Sequence, residues 1–207
     1  ICAIHETNGF GNIGLIAFRL ICFVIMGWLV ITDIKMKHGL HYEKYTVWGE
    51  VSTFITFALL TQCSVEKYLA ESIFKYNNSG SIRCLFGNIG LAKRASFMFQ
   101  WAFLCELTLT LLFWSFNLFV CTDLSKMSYE EIRAKLYYDV IQDVDNYNHV
   151  IPILLLSVEF MVNNIDFTWC QLVITVFLNV MYICLQYMYC TNTHKIIYKG
   201  IDWNENT

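Results

Sequence analysis

Three side chains in this sequence have types and placement that nucleophilic catalysis could use. Thr46 opens one long apolar stretch, Glu50 follows it by four residues, and His149 opens a later apolar stretch. A threonine hydroxyl is a weak nucleophile until a neighbouring base takes its proton. A neutral imidazole is such a base. If both stretches cross a membrane they run in the same direction, so Thr46 and His149 start from the same face and reach similar depth. Glu50 falls one helical turn deeper than Thr46 on the same helix side. Capping or interfacial hydrogen bonds can also bring a threonine and a histidine together, so spacing alone leaves both readings open.

A second set is ionic. Arg19 lies early in the first apolar stretch. Glu159 lies late in the segment that begins at His149, which also holds the sole proline, Pro152. Placing an arginine at the centre of a bilayer costs about 2.5–3.5 kcal/mol, and pairing offsets part of this. The directions of the two stretches put Arg19 and Glu159 in the same half of the membrane. An Arg19–Glu159 pair is therefore expected, with Glu106 as the competing partner. Such a pair serves either as a clamp between helices or as part of a site. His38 and His41 are three residues apart, but no acid or thiol completes a metal set, so neither metal nor cofactor is expected. The nine cysteines, an odd number, form no CxxC pair. They read as small hydrophobes rather than as a disulfide or metal framework.

These residues must be positioned by membrane helices. The chain of 207 residues is 57% hydrophobic and 15% charged, with a mean hydropathy of +0.47. That is more apolar and less charged than soluble domains, and the excess is concentrated in blocks. Five blocks predict spans at about 12–34, 45–64, 95–121, 149–165 and 167–191. About 20 residues cross a bilayer core, so the second block is marginal and the fourth is short. Ser128-Tyr129-Glu130-Glu131 has the form of a capping box. Ile132, Leu136, Val140 and Val144 then recur every four residues, which predicts an amphipathic surface helix over about 128–145. Trp28, Trp48, Trp114, Trp169 and Trp203 fall at or near span ends, as interfacial anchors do. The basic residues slightly favour the face carrying Lys35, Lys37, Arg133 and Lys195 as the cytoplasmic or matrix side. The nearly uncharged residues 1–11 do not read as a basic, cleavable signal peptide. The expected fold is an all-α polytopic bundle forming one integral membrane domain over 1–207. The net charge of -3 and the lack of a basic stripe argue against nucleic acid as a partner.

Several segments, in order, are similar to one family. These are Phe18-Arg19-Leu20, Tyr45-Thr46-Val47-Trp48-Gly49-Glu50, Leu112-Phe113-Trp114, Asn148-His149 with Pro152, Leu154-Leu155-Leu156 and Glu159, and finally Ile197-Tyr198-Lys199 with Trp203. Together they resemble the androgen-induced/FAR-17a family of membrane hydrolases and the related Rolling stone proteins. The resemblance implies a threonine nucleophile at Thr46 and a histidine base at His149, which would hydrolyse fatty-acid esters of hydroxy fatty acids inside the bilayer. The sequence departs from the animal hydrolases in two ways. It carries Val150-Ile151-Pro152 where they have a further histidine, and five predicted spans where they have six.

Two functional classes follow. The first is an intramembrane lipid ester hydrolase using Thr46 and His149, placed in an endomembrane or the plasma membrane. The second is a non-catalytic accessory subunit of a larger membrane assembly, such as a respiratory-type complex of the mitochondrial inner membrane. The abundant aromatics and the lone histidine within the spans favour the second. The expected partners are membrane lipids, joined in the second case by other membrane subunits. A transporter is disfavoured because no inverted repeat appears.

Overall fold

The computed structural model describes residues 5–6, 12–36, 44–76, 89–115, 128–131, 133–134, 144–165 and 169–193. Five long helices dominate: α1 (Asn12–Met36), α2 (Tyr45–Tyr76), α3 (Ile89–Ser115), α4 (Val144–Val162) and α5 (Trp169–Thr193). The two-residue strands β1 (His5–Glu6) and β2 (Asn163–Asn164) pair antiparallel, His5 against Asn164 and Glu6 against Asn163. The described residues are otherwise almost all helical.

Among the described residues, three helices are long and apolar enough to cross a membrane: α1 over Ile13–Lys35, α3 over Gly90–Leu112 and α5 over Trp169–Thr193. The expected count of five is not reached, because α2 and α4 do not meet that test. The physical reason lies in where their polar residues sit. On α2 a stripe of Thr46, Glu50, Thr53, Phe57, Leu60 and Ser64 recurs at helical spacing, and every member is buried. Four of those six residues are polar and only Phe57 and Leu60 are apolar, so this buried face is not hydrophobic. In α4 only Val150–Val162 is apolar, because the helix starts with Val144, Asp145, Asn146 and Asn148.

The helix ends also differ from those expected. The second block was expected to end near residue 64, yet α2 continues to Tyr76. At 1.5 Å per residue its length is about 48 Å, well beyond a 30 Å hydrocarbon layer. Helix α3 starts at Ile89 rather than at 95, while the expected tail 116–121 lies outside the described residues. Helix α4 begins at Val144, so the last two residues assigned to the amphipathic helix belong to it instead. The capping box itself is present. The Ser128 N–H donates to Glu131 Oε2 at 2.7 Å, and the Glu131 N–H donates back to Ser128 Oγ at 3.4 Å. Residues 135–143 of that predicted helix lie outside the described residues.

Helix α2 packs most extensively, against α1 on one side and α3 on the other, and α4 lies mainly against α3. The pairings Arg19–Ser64 and Phe23–Phe54 run α1 antiparallel to α2. One apolar core joins Cys22, Met26, Phe57, Leu60, Ala95, Phe99 and Leu156 from four helices. A second joins Tyr45, Trp101, Cys105, Leu109 and Tyr182, and brings α5 onto α2 and α3.

Two glycines allow close helix approach. A Cβ at Gly27 would meet only the Phe54 ring, at 3.2 Å. At Gly49 a Cβ would lie 2.7 Å from Glu106 Oε1 and 2.8 Å from Leu109 Cδ1, both on buried side chains. Gly49→Ala should therefore destabilise the protein by about 1–3 kcal/mol through overpacking. Gly27→Ala should cost less, since a ring edge can yield and alanine favours helix. Unfolding midpoints of both variants in one detergent check this order.

The capping box makes a pH prediction. The Ser128 backbone N–H, aided by its hydroxyl, holds the Glu131 carboxyl below its ordinary value. The cap therefore contributes above the ordinary glutamate range and is lost as pH falls through the lowered value. In an NMR titration the Glu131 carboxyl carbon should titrate below a peptide glutamate, and Ser128→Ala should move its midpoint upward.

Candidate functional site

The bundle interior holds two polar clusters, one toward each end. The first is built on Arg19, fully buried on the inner face of α1 between Leu15 and Cys22. Its Nε and Nη2 donate to Glu159 Oε1 at 3.0 and 2.6 Å. Its Nη1 donates to the Leu60 carbonyl at 3.3 Å and to Ser64 Oγ. Asn163 Nδ2 adds a further donor to Glu159 Oε1. The expected Arg19–Glu159 pair is thus formed, and Glu106 does not compete for it. Every guanidinium nitrogen has an acceptor, and three helices are tied together through one side chain.

Glu106 belongs to the second cluster. Its carboxyl rests against Gly49, and Thr53 Oγ1 donates to its Oε1 at 3.4 Å. Glu50, 2% exposed, stands within electrostatic reach of it. Thr46 lies in the first turn of α2 on the same buried stripe as Glu50. From α4, Asn148 Nδ2 donates to Asp33 Oδ1 of α1 at 3.4 Å. His149 is the next residue of that helical turn, and its side chain lies outside those described. Beside this cluster the Tyr45 hydroxyl donates to Asn179 Oδ1 and to Cys105 Sγ, the latter at 3.2 Å, which pins α5.

Helical placement thus brings Thr46, Glu50 and Glu106 to one end of the bundle, the end where α4 starts with Asn148 and His149. Arg19 and Glu159 stand apart at the other end. Sequence reasoning missed Ser64, Asn163, Asp33, Asn148 and Thr53. Ser64 and Thr53 could have been found by extending the Thr46–Glu50 spacing along α2. Asn163 could have been found as the residue one turn beyond Glu159. Among the described residues no group of three or more His, Cys, Asp or Glu could hold a metal ion. His38 and His41 lie outside those residues. Six described cysteines (Cys22, Cys63, Cys105, Cys170, Cys184 and Cys190) are free thiols.

An open groove of about 420 Å³ lies on the outer side of α2 and α3, lined by Ile55, Leu59, Lys93, Arg94, Phe97 and Met98. Ile55 is nine residues along α2 from Thr46, or about 13 Å of helix rise. Comparison with family models, curated proteins and solved structures returns no match to this chain.

The buried pair yields a direct test. Removing one partner of such a pair leaves an uncompensated charge and typically costs about 3–5 kcal/mol, whereas replacing both with apolar residues is often neutral. Arg19→Leu and Glu159→Leu should each lower the unfolding midpoint sharply, and the double variant should recover most of the loss. Additive single effects would show that the pair is not coupled.

Proposed function

We propose that this chain is an intramembrane hydrolase of lipid esters, built on the scaffold of the androgen-induced/FAR-17a proteins, with Thr46 as nucleophile and His149 as base. On this reading all five helices cross the bilayer, with the polar stripe of α2 and Glu159 of α4 turned toward protein and exposed apolar residues such as Ile55, Leu154 and Met161 turned toward lipid. A protein interior tolerates polar stretches that lipid does not.

One observation carries the reading. Thr46 sits on the buried stripe of α2 at the end where α4 carries His149, and the preceding residue, Asn148, is anchored to Asp33 of α1. A nucleophile and a base need such rigid supports.

In the proposed reaction His149 takes the Thr46 hydroxyl proton as Thr46 Oγ bonds to the ester carbonyl carbon. The tetrahedral adduct expels the alkoxide, which receives that proton from His149 and leaves as the alcohol. Water then attacks the acyl-threonine ester, and His149 accepts its proton. The carbon–Oγ bond breaks, the proton returns to Thr46 Oγ, and the fatty acid is released.

A second reading, an accessory subunit of a larger membrane assembly such as a respiratory-type complex, is favoured by α5. Only 17% of its apolar window is buried within the chain. Trp169, Val173, Phe177 and Met188 are all exposed. That surface suits either lipid or neighbouring subunits. The membrane would be an endomembrane or the plasma membrane in the first reading, and the mitochondrial inner membrane in the second.

The test uses the full chain in lipid nanodiscs, a fluorophosphonate probe and a fatty-acid ester of a hydroxy fatty acid. Labelling at Thr46 and ester hydrolysis are expected, with Thr46→Ala and His149→Ala each lowering turnover about a hundredfold or more. Full turnover in Thr46→Ala would sink the hydrolase reading. An inert wild-type chain recovered only within a large native assembly would favour the accessory reading.

A further inference from the structure

The groove on α2 and α3 joins two features that ordinary packing does not require together. Its walls are apolar, made by Ile55 and Leu59 of α2 and by Phe97 and Met98 of α3. Its mouth carries two adjacent cations, Lys93 and Arg94, both exposed. They lie about one turn inside the start of the apolar span Gly90–Leu112. In a bilayer that height is the headgroup layer, and the apolar walls continue from it toward the acyl layer.

Charge and polarity therefore run in the order that a phospholipid presents them. Two cations one residue apart match a phosphate diester, with arginine supplying a planar pair of donors and lysine a point charge. Below them the groove offers contact to one acyl chain. A lone snorkelling cation would need only the interface. A neutral acyl chain would need only the walls.

We propose that this groove is a binding site for an anionic phospholipid, its phosphate held by Lys93 and Arg94 and one acyl chain laid along Ile55, Leu59, Phe97 and Met98. The site is separate from the Thr46 cluster and does not depend on hydrolysis there.

The full chain, purified in detergent, is offered phosphatidylglycerol and phosphatidylcholine in equal amounts, and retained lipid is counted by native mass spectrometry. Preferential retention of phosphatidylglycerol is expected. Lys93→Gln and Arg94→Gln should each reduce it about fivefold, the effect of about one surface charge. Arg133→Gln removes a cation elsewhere and should change nothing. Met98→Trp fills the groove, leaves both cations, and should also reduce retention. Unfolding midpoints confirm that the variants remain folded. Equal loss in Arg133→Gln would reduce the effect to net charge and overturn the proposal. Displacement of the lipid by millimolar inorganic phosphate, with no effect of Met98→Trp, would indicate an anion site without an acyl groove and would overturn it as well.

Discussion

The rest of the bundle is arranged around one buried cation. Arg19 occupies the inner face of α1, and its five N–H donors need acceptors in a setting where water does not compete. Those acceptors come from α2 (the Leu60 carbonyl and Ser64) and from α4 (Glu159). Satisfying the guanidinium therefore fixes the relative height and rotation of three helices. Asn163, one turn beyond Glu159, extends the network into β2, where the pairing with His5–Glu6 draws the segment before α1 to the same end.

The same constraint explains the character of α2. A helix that faces α1, α3 and α4 at once can carry Thr46, Glu50, Thr53 and Ser64 inward because each faces protein rather than lipid. The cost appears in its hydropathy, and α2 falls outside the set of helices apolar enough to cross a membrane by themselves. Helix α5 is the opposite case. It is apolar nearly all round, buries little, and attaches through a few residues: Asn179 and Tyr182 against Tyr45, Trp48 and Cys105. Its helicity needs no interior partner in a medium that forbids unpaired backbone groups.

Which features were legible in the sequence follows from this physics. Arg19 and Glu159 could be paired in advance because charges in apolar runs are costly and helix direction fixes their depth. The helices α1, α3 and α5 could be located because a long, predominantly apolar run is a strong, local signal. The extension of α2 to Tyr76 was not legible. Beyond Ser64 its sequence (Glu66, Lys67, Glu71) leaves the apolar range while remaining helix-forming, so hydropathy marked the end of the apolar run rather than of the helix. The seating of Glu106 beside Gly49 was equally hidden. It depends on a missing Cβ on another helix, a contact no periodicity encodes. Topology puts Thr46 and Glu50 near the end of the bundle where the backbone of α4 carries position 149. The His149 side chain lies outside those described.

The two ends of the bundle carry opposite electrostatic characters, and this bears on which lipids each would attract. The end of the bundle that holds Thr46 also carries the buried acids Asp33, Glu50 and Glu106. Under the proposed chemistry that environment suits a neutral ester, and it would help to expel the fatty acid once an anion forms. At the other end Arg19 is saturated by its own partners and attracts nothing further. Among the described residues, Lys93 and Arg94 carry exposed positive charge outside the bundle, beside the apolar groove. Under the proposed lipid binding, an anionic headgroup would be drawn to that outer face. If both proposals hold, the distribution of charge would sort neutral from anionic lipid between two places on one small helical scaffold, and α2 would contribute residues to both.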